Sequence, residues 1–441
     1  MHMKAKATTV RIDPQLKDAA NAVFAELGIS LSAGVSAFLK AVVREQGMPF
    51  EMKLDAGHVL QDGSSEHFAI AIADEIRGNA GLNRAGIAKK DEFYTQLCDI
   101  EAELHYYKDS LKNKVVLCNC DDPFESNFFK YFILHFNELK LKKLIATCYQ
   151  HSSLSGCECS VDEMLYSCPT EQKKAYKAVV TSVDDSLLQS DKNVSILKDL
   201  FSLPGNSIEL LNGDGDFRSA ECLTLLDSSD VVVTNPPFSL FRDFIGTLVA
   251  REKKFLILGN INAATYKEVF PLIRENKIWL GASIHSGDRK FYVPDTYPLN
   301  AVGCGCDDNG RRYIRVKGIR WYTNIDIPQR HQGLELSKAY NPEEYPAFDN
   351  YSAINVSRTA NIPYNYPGIM GVPITFLDRY DPDQFEILML ANGNVRANSN
   401  AETLKLVGYR RHENDKGGVG VINGKRSYAR VLIRNKKPKV D

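Results

Sequence analysis

Four consecutive residues carry the most specific chemistry in the sequence: Asn235, Pro236, Pro237 and Phe238. They directly follow an apolar run, DVVVT over 230–234, which predicts a buried strand with this turn at its carboxyl end. Proline neither continues a ladder nor begins mid-helix, so two in succession fix a rigid turn. Such a turn presents the Asn235 side chain, the Pro236 carbonyl and the Phe238 ring above the sheet edge. Two aligned acceptors can hold an exocyclic amine, and an aromatic face can stack on the heterocycle that carries it. Transfer of a methyl group to an amino nitrogen needs that arrangement. The amine requires no covalent activation, only acceptors that bias its lone pair toward the incoming carbon and exclude water.

The elements that must position this turn alternate between strands and helices from about residue 87. KVVLC (114–118), KLIATC (143–148), SIELL (207–211), DVVVT (230–234) and FLIL (255–258) read as strands. Residues 126–139, with Phe128, Phe129, Phe132 and Phe136 on one side, and 241–249 read as helices. This alternation predicts an α/β fold: a parallel sheet with helices on both faces, its ligand at the carboxyl ends of the strands. Residues 150–195 are polar with few strand signals and read as an insertion. Beyond about residue 300, proline, tyrosine, asparagine and arginine become frequent, which predicts a mixed α+β, loop-rich second domain.

The chain has 441 residues, 44% hydrophobic and 25% charged, enough apolar mass for two to four folded units. That excludes a disordered or collagen-like protein. No apolar run approaches the roughly 18 residues of a membrane helix, and MHMKAKATTVRID has no apolar signal-peptide core, so a cytoplasmic protein is expected. Ten cysteines include three C-x-C pairs, Cys118/Cys120, Cys157/Cys159 and Cys304/Cys306, but no C-x-x-C. They read as reduced, buried thiols, and no metal is expected.

The strand-turn context of NPPF resembles the amino-DNA methyltransferases, whose catalytic motif is (D/N/S)PP(Y/F/W). More specifically, the chain resembles the EcoRI-type adenine-N6 DNA methyltransferases. The stretches that carry this are DEFYTQLCDIEAEL, KVVLCNCDDPFESNFFKYF, LKKLIATCY, GDGDFRS, VVVTNPPFSLFRDF, GVPITFLDRY and INGKRSYARVLIRNK, across most of residues 88–435. The resemblance implies a Rossmann-like sheet, S-adenosylmethionine as methyl donor, and an adenine flipped from duplex DNA into the NPPF pocket. It implies that Phe93, Tyr94 and Thr95 pack against the donor, and that Asn119, Cys120, Asp121 and Asp122 form the donor loop. Asp214, Asp216 and Phe217 would lie at its adenine, with Asp216 favoured because it precedes Phe217. A plainer reading of 119–123 is an acidic loop capping the next helix. Two departures stand out: CNCDDP replaces the F-x-G-x-G signature, and LIATCYQ lacks the usual acidic residue for the ribose. The order of motifs resembles the gamma arrangement, with target recognition at the end.

Residues 7–55 form a different unit: a β-prone run at 7–12, then helices at 15–27 and about 32–47, the first closed by Gly28 and the second by Gly47. This part resembles the ribbon-helix-helix of the RelB/DinJ antitoxins, which implies pairing of two chains and either DNA binding or a dimerisation cap. The expected division is therefore 1–55 ribbon-helix-helix, 56–86 linker, 87–300 methyltransferase domain and 301–441 target recognition. Within the last, Arg311, Arg312, Arg315, Lys317 and Arg320 punctuate RRYIRVKGIRWY, as suits a strand facing phosphates on one side and core on the other. Arg410, Arg411, Lys425 and Arg426, with Arg430 and Arg434, are further candidates for DNA contact. Net charge is −1, yet residues 397–441 carry 11 Lys/Arg against 4 Asp/Glu, a local excess that suits DNA.

Two other readings remain in view. One is an antitoxin-like DNA-binding regulator with a methyltransferase-like body, and the other an enzyme acting on RNA or on protein glutamine. A C5-cytosine enzyme would need a Pro-Cys turn, and Cys168-Pro169 has the opposite order. No Walker A sequence occurs, so ATP-driven restriction within this chain is not expected. A companion nuclease in a restriction-modification pair fits the resemblance.

Overall fold

The apolar runs assemble into one large sheet. In the computed structural model, residues 95–123, 126–149, 175–187, 199–285, 287–293, 304–307 and 310–439 are described. The chain divides into two compact units, Met1–Glu75 and Ile76–Asp441, and all described residues belong to the second. The ribbon-helix-helix, the linker, Phe93 and Tyr94 lie outside the described residues.

The strands β1 (Val115–Asn119), β2 (Lys143–Thr147), β3 (Tyr176–Val180), β4 (Ser207–Leu210), β5 (Val231–Thr234), β6 (Lys254–Asn260) and β7 (Trp279–Leu280) belong to this sheet. Three more, β8 (Asp288–Tyr292), β9 (Gly305–Cys306) and β10 (Arg312–Lys317), form a small separate sheet. The chain then returns through β11 (Ile319–Thr323), which completes the order β4-β3-β2-β1-β5-β6-β11-β7. The parallel arrangement holds for the central strands β2, β1, β5 and β6. The sheet as a whole is mixed, because β3, β4 and β11 join it through antiparallel pairings. β3 falls within 150–195, the stretch whose few strand signals read as an insertion. Its YKAVV alternates buried and half-buried residues, and Lys177 on the open side masks the apolar signal.

Successive residues of β1 face opposite sides: Val116 and Cys118 enter one core, Leu117 the other. The first core holds α1 (Leu97–Leu104) and α2 (Asn127–Leu134). Ser126 caps α2 by accepting from Phe128 N and Phe129 N, and Phe128, Phe129 and Phe132 pack beneath it. The second core holds α3 (Ala220–Ser228) and α4 (Phe241–Ala250). It also takes Met370, Val372, Phe385, Ile387, Val431 and Ile433 of a four-stranded C-terminal sheet. That sheet is built from β12 (Ala353–Asn355), β13 (Ile369–Val372) and β14 (Phe385–Ala391), and from β17 (Arg430–Asn435), which follows the hairpin β15–β16 (Val421–Ile422 and Lys425–Arg426). The C-terminal region thus shares a core with the large sheet.

RRYIRVKGIRWY is two strands rather than one. Gly318, at φ 73°, breaks it so that β10 stays in the small sheet while β11 enters the large one. Of the described cysteines, Cys118, Cys148 and Cys222 are buried, while Cys98 and Cys306 are exposed, against the expectation of buried thiols throughout. Among the described residues, no helix is long and apolar enough to cross a membrane.

Candidate active site

The ladder between β1 and β5 gives out early. These strands pair only at Val116–Val231 and Leu117–Val232. β1 nevertheless stays paired with β2 as far as Asn119–Thr147, and β5 with β6 as far as Thr234–Ile257. The chain leaves β1 toward β2 on one side and returns through β5 on the other. Such a switch point is where α/β sheets hold ligands.

The NPPF turn stands at this point. Asn235, Pro236 and Pro237 are buried and Phe238 half-buried. Leu240 N donates to the Pro237 carbonyl at 3.0 Å and leads the chain into α4. The height of α4 is set by Phe241, whose ring lies over Gly259 of β6: a Cβ there would meet the ring at 2.5 Å. Glycine at 259 is therefore required by close approach.

The loop after β1, within CNCDDP, begins beside it. Cys120 takes φ 69°, the left-handed region that usually calls for glycine. The tight reversal is thus made although CNCDDP lacks glycine. Asp121 N donates to Thr147 O at 3.1 Å. The Asp121 carboxylate accepts from Ser126 Oγ at 3.0 Å and from the Thr234 hydroxyl, which also points at the Asn119 carbonyl. Tyr176 Oη donates to Asp122 at 2.6 Å. Burial, and then the Asp122 carboxylate, push the Tyr176 hydroxyl well up, so it remains a neutral donor. Burial, then Asp121, raises the Cys118 thiol; burial, then Asp122, raises Cys148. Both thiols are accordingly poor nucleophiles.

The GDGDF segment lies against the same edge. Gly215 has φ 79°, and a Cβ on it would stand 2.2 Å from the Cys148 carbonyl oxygen at the end of β2. Asp214 accepts from Asp216 N at 3.0 Å. Arg218 grips Asp216 through Nε at 2.9 Å and Nη2 at 2.7 Å, and its guanidinium lies over Phe217. Thr95 arrives from the other side, its carbonyl accepting from Asn127 Nδ2 of α2 at 2.6 Å. Among the described residues, Thr95 Oγ1 and Asn119 Oδ1 are buried atoms without a hydrogen-bond partner. Such atoms are ordinarily paired, with protein, ordered water or a bound ligand.

Thr95, Asn119–Asp122, Asp214–Phe217 and Asn235–Phe238 therefore gather at the carboxyl edge of the sheet. Ser126, Asn127, Tyr176 and Thr234, which tie these loops together, were not singled out by motif. For Tyr176 and Thr234 the signal is tertiary, since their partners Asp122 and Asp121 are 54 and 113 residues away in sequence.

The basic candidates divide into two groups. In β10, Ile314 and Val316 turn inward while Arg315 and Lys317 are exposed. Arg315 pairs across the strand with Lys290, which lies 4.5 Å from the Tyr313 ring, and Arg311 sits 4.3 Å over Tyr292. Gln96 Nε2 donates to the Lys290 carbonyl at 3.1 Å, which holds this small sheet beside Thr95. Arg312 is half-buried. Arg320 is corrected: it is 3% exposed and locked to Asp378, with Nη2 also on the His285 carbonyl at 2.6 Å, so it faces no phosphate. Arg430 is half-buried and donates to Asn355, and Arg434 pairs with Glu386.

The second group is exposed and drawn together by Asn350. Its carbonyl accepts from Arg410 N at 3.0 Å, and its side chain holds Val421 N and the Val419 carbonyl, each at 2.9 Å. Arg410 and Arg411 thereby lie near the hairpin that carries Lys425 and Arg426. Tyr428, 86% exposed, follows directly.

The family described as adenine-specific methyltransferase EcoRI matches residues 81–436, and the RelB antitoxin family matches residues 6–86. The type II methyltransferase M.EcoRI of Escherichia coli is 44% identical over 363 residues, 81% of this chain and 97% of the relative. M.MpnI of Mycoplasma pneumoniae is 37% identical, covering 81% of this chain and 98% of the relative. M.MgeORF184P of Mycoplasma genitalium is 34% identical, over 81% and 99%. No solved structure matches the chain. The chain belongs to the EcoRI family of adenine-specific methyltransferases.

Proposed function

We propose that the chain transfers a methyl group from S-adenosylmethionine to the N6 amine of adenine at a specific site in duplex DNA. The adenine would be turned out of the helix into place beside Asn235–Phe238. The observation that carries this reading is the NPPF turn at the switch point, next to a loop that leaves Thr95 Oγ1 and Asn119 Oδ1 buried without partners. The surroundings suit the methyl donor: buried polar atoms and the carboxylates of Asp122, Asp214 and Asp216. Bound there, S-adenosylmethionine supplies an electrophilic methyl group.

The chain's own residues do the rest. Asn235 Oδ1 and the Pro236 carbonyl accept the hydrogens of the amine and orient its lone pair, while Pro237 keeps the turn rigid. Phe238 stacks on the flipped base, which offsets part of the few kcal/mol that flipping costs. Phe93, Tyr94, Thr95, Cys120, Asp121 and Phe217 complete the donor side.

Residues 87–300 supply the chemistry and 301–441 read the target, with β11 returning to the catalytic sheet. Arg311, Arg312 and Arg315 meet phosphates on one side, and Arg410, Arg411, Lys425 and Arg426, with Tyr428, on the other. Residues 1–55 pair two chains through a ribbon-helix-helix, joined by the 56–86 linker. Such an enzyme would mark sites for a restriction-modification system.

Expression in a methylation-free host followed by genome sequencing tests the proposal. It expects N6-methyladenine at one recurring sequence. Unmodified DNA, or methylation confined to RNA, would refute it.

A further inference from the structure

The β1–β5 gap has a consequence for catalysis. Backbone pairing between these strands stops at Leu117–Val232, two residues before Thr234. Beyond it the connection between donor loop and catalytic turn is carried by side chains. Thr234, the residue before Asn235, places its single hydroxyl proton between the Asn119 carbonyl and Asp121 Oδ2. The other oxygen of Asp121 accepts from Ser126 Oγ at 3.0 Å. Ser126 caps α2, whose Asn127 carries Thr95. Asp121 N reaches the end of β2 as well, at 3.1 Å. Asp121, 8% exposed and two residues beyond β1, therefore reaches β5 and the start of α2 with its carboxylate and the end of β2 with its backbone N–H.

We propose that Asp121 is a positioning residue that, through the Thr234 hydroxyl and Ser126, holds the catalytic turn in register with the donor loop. The inference rests on the proposed function and refines its assignment of Asp121. A residue that binds the donor directly governs donor affinity. A residue that aligns donor and acceptor governs turnover, because a displacement of about 1 Å between reacting groups lowers rate on the order of 100-fold. Thr234 suits this role because its hydroxyl spans a gap that backbone pairing has abandoned. Its chain neighbour Asn235 cannot shift without straining the Pro-Pro turn.

The test uses the full chain and the variants Thr234→Val, Thr234→Ser, Asp121→Asn and Ser126→Ala, each checked for folding by thermal melting. Thr234→Val and Asp121→Asn are expected to lower kcat by about 10- to 100-fold. Equilibrium affinities for S-adenosylmethionine and for duplex DNA should stay near wild type. Thr234→Ser, which keeps the hydroxyl, should recover most of the rate. Hydrogen exchange across 234–240 reads the coupling without catalysis: it should quicken in Thr234→Val and Asp121→Asn and return in Thr234→Ser. Ser126→Ala is the second route should Thr234→Val not fold, and should show the same loss of kcat. Unchanged exchange, wild-type kcat in Thr234→Val, or loss confined to donor affinity in Asp121→Asn would overturn the inference. Absence of methyl transfer by the wild-type chain would count against the proposed function alone, because the exchange measurement still decides the coupling.

Discussion

In the proposed reaction Asn235 and Phe238 divide the work at the target amine. Asn235 is 6% exposed and offers an acceptor, so its removal takes away orientation that stacking cannot replace. Phe238 is half-buried and contributes stacking, worth about 1–3 kcal/mol per base. Steady-state kinetics should show Phe238→Ala losing less turnover than Asn235→Ala, with DNA affinity in Asn235→Ala close to wild type. A Phe238→Ala variant with wild-type turnover would remove the stacking role. These residues were legible because their signal is local: an apolar strand, two prolines and an aromatic are contiguous. The partners of Asp121 on other strands were not legible, since Thr234 and Thr147 reach it only once three strands are side by side.

Elements show where local pattern stops deciding. The run from Arg312 to Thr323 alternates in sequence as one strand, yet Gly318 splits it, and Arg320 falls in β11, where all five residues are buried. There its guanidinium is paired with Asp378, in the 3-10 helix Ile374–Arg379 that precedes β14. Burial raises the Asp378 carboxyl even against the lowering effect of Arg320, a sign of how dry the pair is. Breaking one partner of a buried pair leaves an uncompensated charge, so Asp378→Ala should cost about 3–5 kcal/mol in urea unfolding. Replacing both with apolar residues, Arg320→Met with Asp378→Leu, should recover most of that loss. A single substitution without effect would mean the pair contributes nothing.

His331 makes a second link between the same regions, with Nδ1 3.0 Å from Asp383 and Nε2 2.9 Å from Asp326. Its pKa is raised from 6.5 by the hydrogen bonds to Asp383 and Asp326, while Arg330 opposes. The folded state thus binds the proton more tightly. The stability it adds is full below about pH 6.5 and is lost as pH rises through the raised folded value. The difference in melting temperature between wild type and His331→Gln should be largest in mild acid and shrink toward pH 9. A difference independent of pH would show that the imidazolium is not involved.

At the scale of the whole molecule, near-neutrality conceals an uneven layout. Asp121, Asp122, Asp214 and Asp216 lie on loops at the carboxyl edge of the large sheet, and the exposed Arg410, Arg411, Lys425 and Arg426 lie on segments that Asn350 ties together. The relatives align over 97–99% of their own length yet over only 81% of this chain. The catalytic unit is therefore accounted for without the segment that matches RelB antitoxins. A chain limited to residues 76–441 should keep kcat for methyl transfer and lose any self-association that the N-terminal segment confers, read by light scattering. Loss of kcat in the truncated chain would tie the N-terminal unit to the chemistry.

Methyl transfer itself tests the central claim most directly. Incubation with methyl-tritiated S-adenosylmethionine and unmodified duplex DNA, followed by digestion to nucleosides, should place the label in N6-methyldeoxyadenosine with the wild-type chain and leave none with Asn235→Ala. Label in a cytosine product, label on RNA but not DNA, or equal label from Asn235→Ala would contradict the account.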